Sequence, residues 1–246
     1  MSEISRNENY FIEMRKFHNW IKSGIIKKYS HGKTRLLDLA SGKGGDIFKW
    51  VKNGIKFVRG YDIDNVSVIE SQKRFSKLKR TDLDYKFSQK DLSYELVKLP
   101  LKVDIVSCFF ALHYFFKDAK SFENIGKNIS QNLKSGGYFI MAAFSDENLR
   151  KINYTIDSSK IKVLPVEQKS IYGNSISVWI EDTVLDKPTI EYVIKYDTFI
   201  SVMKKHSLEL VEQTDFKDYF SDYGKSMKVI EKKLSFLNTS YVFRKN

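Results

Sequence analysis

Apolar and polar positions along this chain follow two periods, and the switches between them mark its elements. Between residues 9 and 29, Phe11, Met14, Phe17, Trp20, Ile21, Gly24, Ile25 and Tyr29 recur at three- and four-residue spacing, which predicts an amphipathic helix. The apolar run Leu36-Leu37-Asp38-Leu39 reads as a strand. It breaks at Ala40-Ser41-Gly42-Lys43-Gly44-Gly45-Asp46, and the chain restarts as a helix at Ile47-Phe48-Lys49-Trp50-Val51. A second strand is predicted at Phe57-Val58-Arg59-Gly60-Tyr61-Asp62, a helix over residues 66–79, and a third strand from Tyr85 that ends at Asp91. Val103-Asp104-Ile105-Val106-Ser107-Cys108-Phe109-Phe110 is nearly continuous apolar sequence, the signature of a central parallel strand. A helix over about 119–133, a turn at Lys134-Ser135-Gly136-Gly137 and a fifth strand at 138–144 follow. Strand and helix thus alternate, which predicts an α/β fold with a Rossmann-like, doubly wound, mostly parallel sheet.

Past residue 145 the segments shorten. Residues 149–188, with a turn at Asp186-Lys187-Pro188, read as an inserted antiparallel segment lying over the site, within one domain spanning 1–246. Ile190-Glu191-Tyr192-Val193-Ile194 leads into a helix near 196–206, and residues 208–211 resume the sheet. Residues 222–235 are basic and polar, and a strand at 240–244 closes the pattern.

Composition narrows the class. The 246 residues are 42% hydrophobic and 29% charged, as in a globular chain with one large core. No apolar run approaches the ~20 residues of a membrane span. The segment Met1-Ser2-Glu3-Ile4-Ser5-Arg6-Asn7-Glu8 lacks the layout of a secretion signal. The single cysteine, Cys108, lies in an apolar strand and reads as a core residue in a reducing compartment. A net charge of +12 and a pI near 9.4 point to a polyanionic partner such as nucleic acid, or else to a lysine-rich proteome.

The glycine turn carries the chemistry. Glycine accepts backbone angles and ligand approaches that other residues resist, and an acid about twenty residues on, here Asp62, is placed to meet a ribose diol. A dinucleotide fingerprint would need G-x-G-x-x-G, whereas this chain has Ala40-x-Gly42-x-x-Gly45. Asp38, at the end of the first strand, suits the cationic methionine end of S-adenosylmethionine and would sit badly beside a pyrophosphate. Lys22, one segment ahead of the turn, could reach the carboxylate of the same ligand. Asp91 falls where such folds meet the adenine amino group. His113 and Tyr114 fall beyond the carboxyl end of the central strand, where open α/β sheets bind ligands.

Taken together, Phe17-His18-Asn19-Trp20-Ile21-Lys22, the run from Leu37 to Asp46, Phe110-Ala111-Leu112-His113-Tyr114-Phe115, Thr189-Ile190-Glu191-Tyr192-Val193 and Tyr241-Val242-Phe243-Arg244-Lys245 resemble the mRNA cap guanine-N7 methyltransferases. The resemblance implies a class I methyltransferase that uses S-adenosyl-L-methionine and releases S-adenosyl-L-homocysteine. Its expected substrate is the GpppN 5′ end of capped RNA. It implies donor contacts at Lys22, Asp38, Gly42, Asp62, Asp91 and Tyr114. Asn19, Lys43, Lys49, Arg74, His113, Glu191 and Tyr241 would line the cap guanosine and its phosphates. Positioning by His113, Tyr114 and Glu191 would replace acid–base catalysis, with no metal. Three positions depart from the family pattern. Ala40 stands for the first glycine, Phe109 for a glutamine, and Asn238 for a tyrosine near the C-terminus, where Tyr241 is the nearest substitute. A monomer is expected, without a membrane, alongside other capping enzymes, in the nucleus or at a viral or cytoplasmic capping site. Two alternatives remain at this point: a methyltransferase of small molecules, and a catalytically weak RNA-binding subunit of a capping complex.

Overall fold

A computed structural model describes residues 10–169, 171–181, 183 and 187–246. The expectations about Met1 to Glu8 and about a turn at Asp186 therefore lie outside the described residues.

The elements in chain order are α1 (Ile12–Ser30), β1 (Arg35–Leu39), α2 (Ile47–Lys52), β2 (Phe57–Asp62), α3 (Asn65–Ser76), β3 (Asp84–Gln89) and β4 (Val103–Phe109). A 3-10 turn (Leu112–Lys117), α4 (Ala119–Asn132), β5 (Leu133–Phe144), α5 (Asp146–Lys151), β6 (Ile156–Asp157), β7 (Ile161–Glu167), β8 (Ser175–Ile180) and β9 (Thr189–Tyr192) follow. The chain continues through α6 (Tyr196–Lys205), β10 (Leu208–Asp215), α7 (Phe216–Tyr223), α8 (Val229–Ser235) and β11 (Asn238–Lys245). Seven strands form one sheet in the order β10-β11-β5-β4-β1-β2-β3, with β1 to β5 parallel and β11 antiparallel to both its neighbours. Strand order reverses between β1 and β4, so their carboxyl ends flank the crevice where doubly wound sheets hold ligands.

Side chains alternate across this sheet. Leu36 and Ile105 face the core under α1, α2 and α3, while Leu37, Leu39 and Val106 face the core under α4 and α6. β4 is buried along nearly its whole length, as its apolar run predicts. Local chemistry sets the helix starts. Asp64 accepts the Val66 and Ser67 N–H groups at the head of α3, and Asp118 accepts that of Ser121 at the head of α4. Glu231, fully buried, accepts the Lys228 N–H of α8 through one oxygen and the Met14 N–H of α1 through the other, fixing α1 against α8.

Three boundaries differ from the sequence expectation. The glycine pair after Lys134 is not a separate turn. β5 begins at Leu133 and absorbs the extra residues as an irregularity opposite Val103 and Ile105, with Gly136 at φ +72°. The basic stretch 222–235 resolves into the end of α7 and the whole of α8. The antiparallel sheet, in the order β6-β7-β8-β9, runs on past residue 188. Glu191 pairs with Ile176 inside it rather than leading toward α6. Residue 149, the expected start of the insertion, lies within α5.

Candidate active site

The β1–α2 turn is shaped by backbone that mostly only glycine tolerates. Ala40, Gly42 and Gly44 have φ of +62°, +51° and +69°. A Cβ on Gly44 would stand 2.7 Å from Ile47 Cδ1 and 3.0 Å from Ser71 Cβ, so this glycine lets the turn close onto α3. Gly42 instead faces open space. Its N–H donates to Asp62 Oδ2 at 2.7 Å, and Asp62 Oδ1 accepts the Asp64 N–H at 2.9 Å. The acid is thus held rigidly at the end of β2, and each oxygen keeps a second lone pair for a ligand.

Three hollows meet at the carboxyl edge of the sheet. The first, a cavity of about 550 Å³, is lined by Gly42, Asp62, Asp91 and Tyr114, with Phe109, Ala111 and Tyr192 among its apolar walls. The second, an inner cavity of about 280 Å³, is lined by His18, Phe110, His113, Tyr114, Glu191 and Asn238, with Ile180 and Thr183 of the second sheet's side. The third, a wider cleft of about 810 Å³, is lined by Asn19, Lys22, Asp38, Lys43 and Arg74, among others. Phe110 borders all three, and its φ of +57° is a strained conformation for a bulky side chain. Its N–H donates to Ala142 O at 2.7 Å, and its ring stacks on His18 with centroids 5.1 Å apart.

Burial sets the protonation of the inner cavity. His113 Nε2 and Glu191 Oε2 are 3.5 Å apart, both side chains are buried, and Nε2 has no hydrogen-bond partner among the described residues. Burial pushes His113 down to about 3 and Glu191 up to about 8, so both are neutral near pH 7. Their contact is therefore between two desolvated, neutral groups rather than an ion pair. Tyr114, partly exposed with its ring centroid 4.1 Å from that of His113, is pushed up to about 12 by burial, with Glu191 and Asp62 adding to the shift, and remains a phenol.

In the cleft, Asp38 is buried and accepts the Ser107 hydroxyl at 2.6 Å. Burial raises it to about 8 despite that bond. Asp46 is the hub of a lysine pair, 2.8 Å from Lys22 Nζ and 2.7 Å from Lys49 Nζ. Burial alone would raise its pKa, but the two ammonium groups hold it below the usual carboxylate range. Lys43 is exposed, and Arg74 approaches Gly44 O at 3.5 Å.

Of the residues expected from sequence, Gly42, Asp62, Asp91 and Tyr114 share the first cavity. His113, Glu191 and Tyr114 share the second, and Asn19, Lys22, Asp38, Lys43 and Arg74 share the cleft. Two are placed elsewhere. Lys49 bonds to Asp46, Gly45 O and Asn19 and faces a separate groove. Tyr241 is buried in β11 against Phe199, 5.3 Å between ring centroids, and lines none of the three hollows. Strand alternation explains this: Asn238 is three positions earlier on β11 and so faces the opposite side of the sheet, where it lines the inner cavity. His18, Asp46 and Phe110 also line the site, and the motifs give them no role; the sequence signal for each is only its place inside a motif, His18 beside Asn19, Asp46 at the end of the glycine turn and Phe110 at the end of the central strand.

Among the described residues, no group of three or more metal-ligating side chains is gathered and no helix is long and apolar enough to cross a membrane. The solved structures that resemble this chain share its fold at low identity. An S-adenosylmethionine-dependent methyltransferase from Clostridium acetobutylicum aligns over 99% of this chain and 95% of its own, with a TM-score of 0.64 at 17% identity. The glycopeptide N-methyltransferase MtfA, solved with S-adenosylmethionine, aligns over 100% and 91%, with a TM-score of 0.58 at 14% identity. The fold is that of the class I methyltransferases. Among proteins of known sequence, the mRNA cap guanine-N(7) methyltransferase of Saccharomyces cerevisiae is 30% identical over 89% of this chain, and that of Schizosaccharomyces pombe 31% over 86%. A mimivirus protein named "Probable mRNA-capping enzyme" is 29% identical over 93% of the chain. The chain spans 56% of the S. cerevisiae protein, 64% of the S. pombe protein and 24% of the viral one. The family model described as the mRNA (guanine-N(7))-methyltransferase domain matches residues 1–241, and this chain belongs to that family.

Proposed function

We propose that the chain methylates N7 of the terminal guanosine of capped RNA. S-adenosylmethionine, when bound, supplies an electrophilic methyl group on a sulfonium. The first cavity suits this donor: Asp62 offers free lone pairs for a ribose diol and Asp91 an acceptor for the adenine amino group, while in the adjoining cleft Lys22 would meet the carboxylate of the amino-acid end and a carboxyl oxygen of Asp38 would accept from its ammonium. The observation that carries the reading is the shared wall. Tyr114 lines both the acid-rimmed cavity and the inner cavity that holds His113 and Glu191, so the contents of the two are neighbours.

Guanine N7 has an exposed lone pair and needs no deprotonation, so the protein has to hold, orient and exclude water. Orientation of this kind contributes ~7–11 kcal/mol. Phe110 and Tyr114 offer ring faces to a purine. Glu191, once ionised, would accept the guanine N1–H and N2–H donors. It would also favour the positive charge that grows on the ring during transfer. The orphaned His113 Nε2 stands ready for a polar atom of the same ligand. Lys43 and Arg74 would meet the triphosphate with charge-assisted bonds. Lys22 and Lys49 hold Asp46 between them, and Lys22 with Asp46 completes the rim. The protein would act as a single chain beside other capping enzymes, wherever caps are made, in the nucleus or at a viral site.

The test is to incubate the protein with methyl-labelled S-adenosylmethionine and GpppA- or GpppG-ended RNA, then digest and separate the caps. Label in 7-methylguanosine supports the proposal, and its absence at high enzyme concentration overturns it. Label passed equally well to small acceptors lacking a cap would instead favour a small-molecule enzyme.

A further inference from the structure

A fourth hollow adjoins the cleft and has no part in the reading above. It is a groove of about 320 Å³ between α1 and α2, lined by Trp20, Ser23, Gly24, Lys27, Lys49, Lys52, Asn53 and Tyr219, with Ile21 at its base. Among the described residues no carboxylate lines it, and three lysines do. Lys27 and Lys52 are exposed and form no salt bridge among the described residues. Trp20, at 40% exposure, rests one face near Phe17, with centroids 6.3 Å apart and planes 15° from parallel.

The groove is continuous with the cleft. Lys49 Nζ donates to Asn19 Oδ1 at 2.9 Å. Asn19 lines the cleft and Lys49 lines the groove, so this one bond is the ridge between them. Crossing it, the cationic track runs from Arg74, Lys43 and Lys22 on one side to Lys49, Lys52 and Lys27 on the other. Gly24 is a second, independent sign. It sits exposed in the interior of α1, where alanine is favoured over glycine, and a Cβ there would meet nothing within 4 Å. Neither its backbone angle nor its packing calls for a glycine. Its bareness keeps the groove floor low for something outside the chain.

We propose that this groove carries the first nucleotides of the transcript beyond the cap triphosphate. The inference rests on the cap-methylation reading. Cations spaced along a groove with exposed aromatic faces are what single-stranded nucleic acid requires, since phosphates pair with the former and bases stack on the latter. Sequence selectivity is not expected, because stacking and phosphate contacts serve every base.

Fluorescence anisotropy with the full chain tests it, using the GpppA dinucleotide and a GpppA-ended 10-nucleotide RNA over a range of salt. Each phosphate contact to a single strand adds ~0.7 to the slope of log affinity against log salt. Engagement of Lys27 and Lys52 therefore makes the 10-mer slope steeper than the dinucleotide slope by ~1.4. Lys27→Ala with Lys52→Ala removes that difference, and Gly24→Glu weakens the 10-mer at least ~tenfold. In both variants the methylation rate on GpppA dinucleotide stays at the wild-type level, which also shows that they fold. Equal slopes for the two RNAs in the wild type, or variants that weaken both RNAs alike, overturn the proposal. So does a groove that binds polyglutamate while adding nothing to 10-mer affinity, which would assign it to an acidic protein. Wild-type protein that fails to methylate GpppA at all overturns the cap reading and this inference together. Methylation with no gain from RNA length overturns only the groove.

Discussion

The Asp62 carboxylate and the Gly42 N–H are joined at 2.7 Å across the crevice between β2 and the β1–α2 turn. This bond couples the expected ribose acceptor to the glycine turn that shapes the donor cavity, so the two cannot be altered independently. Asp62→Ala removes the acceptor for two backbone N–H groups as well as the proposed ribose contact. A charged hydrogen bond contributes ~1.5–3 kcal/mol, so donor affinity should fall at least ~tenfold by calorimetry. Asp62→Asn keeps one carbonyl acceptor and should fall between. Unchanged donor affinity in both variants would show that the ribose is held elsewhere.

On the cap-methylation reading proposed above, Glu191 would make binding of the guanosine depend on pH. Burial holds its carboxyl protonated up to about 8, whereas the guanine edge presents two donors that need an ionised partner. Binding below that value must first remove the proton, at a cost of ~1.4 kcal/mol per pH unit. Affinity for GpppA should therefore climb from pH 6 to about 8 and then level. Glu191→Gln should flatten the profile and Glu191→Ala should abolish methylation, while both leave S-adenosylmethionine binding nearly intact. A flat wild-type profile, or loss of donor binding, would place this residue in a different pocket.

Asp38 links stability to the same chemistry with a definite sign. In the folded chain, burial keeps it protonated up to about 8, while in the unfolded chain it ionises near the ordinary ~3.9. Between these values the folded state binds the extra proton, so its contribution to stability is full below ~4 and is lost as pH rises to about 8. Asp38→Asn keeps an acceptor for the Ser107 hydroxyl and has nothing to ionise. Urea unfolding should show the variant gaining on the wild type between pH 5 and pH 8, by up to ~1.4 kcal/mol per unit, while its donor affinity drops. Parallel stability profiles would contradict the buried, protonated state.

The parallel half of the fold was legible because its signals are local. The apolar β4 run, the turn after Leu39 and the acids at the ends of β2 and β3 each declare themselves within a few residues. The predicted sheet and class of fold were found, and the predicted antiparallel segment exists. Its edge was misjudged because β9 is only four residues long and carries Glu191 among polar neighbours, so nothing in it announces pairing with β8. Lys49 shows a different limit. Its ammonium is taken up by Asp46, three residues away, and by Asn19 and Gly45 O, so it meets the cleft only through these partners, an electrostatic choice that spacing alone does not reveal. Tyr241 shows a third. Tyr241 and Asn238 lie three positions apart on β11, and the two-residue period of a strand turns them to opposite faces.

Ala40 offers a test of strain at the turn itself. The family pattern has glycine here, and alanine at φ +62° occupies the left-handed region at a cost of ~1–2 kcal/mol. Ala40→Gly removes that strain but returns conformational freedom to the unfolded chain, worth ~0.4–1 kcal/mol. The strain is the larger quantity, so the variant should be more stable by ~0.5 kcal/mol in urea unfolding. Ala40→Val should be destabilised well beyond that, because a β-branched side chain tolerates this conformation worst. Ala40 also borders both the donor cavity and the cleft, so its methyl group faces the space where ligand would lie. If Ala40→Gly proves less stable than the wild type, the methyl group's packing outweighs the backbone strain, and the departure from glycine is an adaptation of the turn rather than a tolerated defect.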